Sequence, residues 1–64
     1  MEELKIAIEN IEKVVNDLRH SSDEYYKIGD NYRGNIRYDA ALRLFSDLER
    51  LKIANDYISV ALKK

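Results

Sequence analysis

The sequence predicts an all-α fold, an antiparallel helical hairpin of two long helices that completes a four-helix bundle by association. Three observations predict it. Apolar residues recur at alternating steps of three and four in both halves of the chain, the seam spacing of packed helices. There is no proline, and the two glycines, Gly29 and Gly34, both lie near the midpoint. The chain has 64 residues and reads as a single domain, 1–64, with a marginal core, because a chain of this size buries only about 60% of its unfolded surface.

The first helix is read from about residue 3 to 33. Its seam is Leu4, Ile8, Ile11, Val15 and Leu18, widened by Ala7 and Val14, and the same spacing continues through Ser22, Tyr25, Gly29 and Tyr32. Glu2 and Glu3 complement the helix dipole at its start. The weak point is residues 20–23, where Ser21 and Glu24 have the spacing of a capping box. A break there, giving three helices, is the alternative to one continuous helix.

Residues 34–36 are read as the turn. Gly34 would supply a left-handed backbone at the first helix's end, and Asn35 would cap the second helix. That second helix is read from about residue 37 to 63. Its seam is Ala41, Leu44, Leu48, Leu51, Asn55, Ile58 and Leu62, flanked by Phe45, Ala54 and Ala61. The pairs Glu9/Lys13, Asp23/Lys27 and Asp39/Arg43 place the acid four residues before the base, each worth about 0.2–0.5 kcal/mol to a helix.

Composition narrows the chemistry. There is no cysteine and a single histidine, so disulfides are excluded and a zinc site is disfavoured. No cofactor is expected, and association remains as the extra source of stability. No apolar run approaches the ~20 residues of a membrane span, and the acidic start is the opposite of a signal peptide's basic region. The expectation is a soluble cytoplasmic protein without membrane contact. Eleven basic and twelve acidic residues give a net charge of −1, which argues against nucleic-acid affinity driven by bulk charge. The charge is uneven, however: residues 1–24 carry seven acids and three bases, net −4, and residues 25–64 carry five acids and eight bases, net +3.

No catalytic constellation emerges. Gly29 and Gly34 have phosphate-loop spacing, but Asn35 and Ile36 stand where Lys and Ser/Thr are needed. Asp30 to Gly34 fails as a calcium loop because Tyr32 occupies a ligand position and the glycine comes early. His20 has no cysteine nucleophile to activate, Ser21 and Ser22 are its neighbours in sequence only, and it reads as a helix-surface residue. The expectation is a non-enzyme with no small-molecule substrate.

Recognition has three candidate carriers. Tyr25, Tyr26, Tyr32, Arg33, Arg37 and Tyr38 cluster in sequence and are of the types enriched at binding hot spots, so they form the candidate partner-binding group. The alternative is that Tyr25, Tyr32 and Tyr38 plug the loop end; Tyr26 and Arg33 lie off the seam and are the stronger binding candidates. The candidate oligomer interface is Leu4, Ile8, Ile11, Val15, Leu44, Leu48, Leu51, Asn55 and Ile58, with Asn55 as a polar seam residue of the kind that fixes register or oligomer state. Ile6, Val14, Ile53 and Val60 lie beside or off the seams and indicate a second contact face.

Residues 22–55 resemble a single tetratricopeptide repeat. Tyr25, Ile28-Gly29, Tyr32, Ala41 and Phe45 fall at that family's spaced positions, whereas Ile36, Leu48 and Ile53 replace its turn glycine, later alanine and closing proline. The resemblance implies protein binding, although arrays of this family need about three repeats to bury a core. In size and shape the chain also looks like the small hairpin co-chaperones of type III secretion. The expected function is a protein-interaction module that binds another protein or itself as a homodimer. The alternatives are a small inhibitor of a larger enzyme or defence complex and a nucleic-acid-binding regulator.

Overall fold

The computed structural model describes residues 2–63, and these form an α-helical hairpin with no strand among them. Helix α1 spans Glu2–Lys27 and helix α2 spans Asn31–Leu62. Met1 and Lys64, the ends of the predicted domain, lie outside the described residues.

Helix α1 passes through residues 20–23 without a break. Ser21 therefore does not cap a new helix, and its neighbour Ser22 belongs to the core. Ser22 turns inward, is 0% exposed, and donates its Oγ hydrogen to the Gly34 carbonyl oxygen at 2.8 Å. A hydroxyl that finds an acceptor across the hairpin no longer competes for its own backbone, so the helix continues.

The turn falls at residues 28–30, not at the predicted 34–36. Gly29 has φ +81°, the left-handed conformation that a residue without Cβ adopts at little cost. Two backbone bonds close the end of α1: Gly29 N–H to the Tyr26 carbonyl at 3.0 Å and Asp30 N–H to the Tyr25 carbonyl at 2.9 Å. This is the paired pattern of a Schellman motif. Asp30 then caps α2 by accepting from the Arg33 backbone N–H at 3.1 Å. Asn35, the predicted cap, instead lies within α2 and accepts from the Tyr26 hydroxyl.

Gly34 is therefore a packing residue. It is buried inside α2, and a Cβ built on it would lie 2.6 Å from Cε1 of Tyr26. From this contact the core runs in two rows with a seven-residue period: Ser22, Val15 and Ile8 on α1, and Gly34, Ala41 and Leu48 on α2. Stepping both rows away from the Ser22–Gly34 contact sets Val15 level with Ala41 and Ile8 level with Leu48. Side-chain size rises with distance from the turn, from Ser/Gly to Val/Ala to Ile/Leu. The smallest pair thus sits where the short turn draws the helices together.

The hairpin is a single layer of two helices. Its extents are 54 × 15 × 10 Å and its radius of gyration is 15.2 Å, where a compact chain of this length would have about 11 Å. Its accessible surface is 5109 Å², compared with about 4,250 Å² for a compact monomer of the same mass.

The Gly34 contact is testable by a double-mutant cycle. Gly34→Ala should lower stability to urea by about 1 kcal/mol, because displacement of the Tyr26 ring outweighs the gain in helix propensity. In a Tyr26→Ala background the same substitution should raise stability by about 0.5–1 kcal/mol, since only the propensity gain is left.

Candidate functional site

The rows three residues on from the buried ones define a face. Leu4, Ile11 and Leu18 on α1 and Leu44, Leu51 and Ile58 on α2 are all half-buried. A three-residue step turns about 60° short of a full turn, and on antiparallel helices that rotation carries both rows to the same side of the hairpin. The predicted interface residues therefore divide. Ile8, Val15 and Leu48 are buried within the hairpin, whereas Leu4, Ile11, Leu44, Leu51 and Ile58 form this open aliphatic face, which Leu18 joins. Asn55 continues the buried row of Gly34, Ala41 and Leu48, and its enclosed Oδ1 has no hydrogen-bond partner among the described residues.

The predicted turn cluster does not form one surface. Tyr25 is half-buried at the turn end of the aliphatic face, with the Arg37 guanidinium 4.3 Å and the Arg33 guanidinium 5.8 Å from its ring centre. Both lie within cation–π range. Arg33 also approaches Asp30 at 3.6 Å. Tyr26 and Tyr38 belong to the opposite side. Tyr26 covers Gly34, and Tyr38 borders a shallow groove with Leu42 and Phe45 above Val15 and Ala41. Among the described residues Arg19 is the one charged residue lining that groove. Tyr32 sits at the tip beside Ile28, each 75% exposed.

The aromatic groove was missing from the sequence prediction. Its signal was present, because Tyr38, Leu42 and Phe45 recur at steps of four and three, a second stripe beside the main seam. Farther from the turn the same side becomes polar, lined by Glu12, Asn16 and Lys52. Lys52 Nζ lies 3.1 Å from Glu12 Oε1 across the helices and 3.5 Å from Glu49 Oε1 on its own helix. The hydrogen bond to Glu12 is the main influence holding the Lys52 pKa above its ordinary 10.5; partial burial opposes it, and the charges of Glu12 and Glu49 add to it. A raised ammonium pKa stabilises the fold below the unfolded-state value, and that contribution is lost as pH rises through the folded-state value. The pair is exposed to solvent and screened by salt.

Among the described residues no group of three or more His, Cys, Asp or Glu side chains could hold a metal ion, and no helix is long and apolar enough to cross a membrane. His20 lies on the outer surface of α1, its Nε2 3.9 Å from Glu24 Oε1. No protein-family model matches the chain, and comparison with curated proteins and with solved structures yields no match. The tetratricopeptide resemblance is not upheld, because the turn at Gly29 interrupts the stretch that would form that repeat's first helix.

Asn55→Leu should raise thermal stability, by about 1–2 kcal/mol, since a polar residue at a seam position costs stability and leucine extends the apolar row. Melting curves followed by circular dichroism measure the change.

Proposed function

We propose that the chain is a non-enzymatic protein-interaction module, an adaptor, co-chaperone or assembly subunit that binds through its hairpin. The observation that carries this reading is the half-buried aliphatic face. Six leucine and isoleucine side chains stand in two rows on one side of the hairpin, whose own two helices leave them only partly covered. All-α domains pack helix layers on both sides of such residues, and each additional Å² of apolar surface removed from water contributes about 25 cal/mol. A partner supplying a second helical layer is the natural cover.

Two further features support the reading. A single layer of two helices offers little concavity for excluding water from a reacting bond. The net charge of −1 gives no bulk attraction to nucleic acid. A second mode of binding, insertion of the tip into a cleft of a larger enzyme as an inhibitor would do, is favoured by one observation: Ile28 and Tyr32 are both three-quarters exposed there.

The test is complex formation in the cells that make the protein. Wild type should migrate in a complex larger than its own hairpin, and the Leu44→Glu/Leu51→Glu double variant should not. Tyr32→Ala should leave the complex intact; if it alone dissolves the complex, tip insertion is the correct mode. A wild-type chain that migrates alone at every expression level overturns the interaction reading.

A further inference from the structure

We propose, resting on the interaction reading above, that the aliphatic face is covered by a second copy of this chain, related by a two-fold axis parallel to the helices. Each α1 then packs against the partner's α2, and both turns lie at the same end of a four-helix bundle.

Area is the first argument. Two separate hairpins expose twice 5109 Å², whereas a compact protein of twice 7.5 kDa exposes about 7,000 Å². Reaching that value removes about 1,600 Å² from each chain, the size of an obligate interface rather than a passing contact. One further hairpin of the same length is enough to supply it.

Charge sets the orientation. Helix α1, Glu2–Lys27, carries seven acids and four bases, net −3; helix α2, Asn31–Leu62, carries four acids and five bases, net +1. With the axis parallel to the helices, each α1 has an α2 on both sides. With the axis perpendicular to them, the two acidic α1 helices would lie against each other.

Register agrees. The Ser22–Gly34 contact fixes which levels of α1 and α2 coincide, and a parallel axis carries the same levels across to the second copy. Leu4 then meets the partner's Leu51, and Ile11 meets the partner's Leu44. Because the axis preserves height, each Asn55 shares its level with the partner's Asn55. The Oδ1 that has no hydrogen-bond partner within the described residues thus gains a nearby amide donor, directly or through water.

Sedimentation equilibrium of the purified chain, with helicity followed over the same dilution series, tests the stoichiometry. The expected mass is twice 7.5 kDa, with helicity falling as the dimer dissociates. Ile53→Glu, on the other side of α2, should leave the mass unchanged, and Leu44→Glu should halve it. A fully helical monomer at all concentrations overturns the homodimer and leaves the interaction reading to be decided by the complex formed in cells. Electron–electron resonance tests the orientation, using single spin labels at Asn31→Cys and Asp56→Cys. Both intermolecular distances should fall under about 30 Å, given interaxial spacings of 8–10 Å. Turns at opposite ends cannot make both short, because the two positions are about 37 Å apart along α2. One long distance overturns the parallel axis.

Discussion

The close approach of α1 and α2 at Ser22 and Gly34 governs the rest of the structure. A buried hydroxyl is costly unless it is bonded, and here the Gly34 carbonyl accepts from it at 2.8 Å. The missing side chain at residue 34 leaves the space that the Tyr26 ring occupies. Residue 34 thus carries a polar contact through its carbonyl and an aromatic contact where its Cβ would be. The seven-residue period then transmits this register along both helices, to Val15 and Ala41 and on to Ile8 and Leu48.

That register also determines what is left uncovered. Two helices facing each other bury one row apiece, while the sequence supplies each helix with an apolar stripe wider than one row. The surplus appears as the aliphatic face on one side and the Tyr38, Leu42 and Phe45 groove on the other. An elongated hairpin with a radius of gyration of 15.2 Å cannot fold its surplus back upon itself. The proposed protein binding accordingly rests on the packing deficit of the whole hairpin rather than on any single motif.

The turn region shows why proximity in sequence misleads in helices. Tyr25 and Tyr26 are adjacent, yet a step of one residue rotates about 100°, which places them on different flanks of the seam. Tyr25 is drawn toward Arg37 at 4.3 Å, whereas Tyr26 is spent on covering Gly34. Arg37 and Tyr38 separate in the same way. The six-residue cluster therefore divides among an arginine-stacked tyrosine, a tyrosine covering Gly34, the aromatic groove and an exposed tip.

Helix content, the two seams, the absence of cysteine chemistry and the surplus of apolar surface were legible in the sequence, because each depends on local composition and on a period that any helix must obey. The location of the turn was not. Gly29 and Gly34 are equally able to adopt a left-handed backbone, so local preference left two candidates. Stepping back from Ala41 by four and three would have reached Arg37 and Gly34 and marked Gly34 as a seam residue, and Gly29-Asp30 carries its own stop-and-cap signal. Sequence by itself determined that two amphipathic helices form and that they carry more apolar surface than one hairpin can bury. Tertiary structure alone decided which glycine bends the chain and which one packs, because only when the helices meet does a missing Cβ at residue 34 become the space that the Tyr26 ring requires.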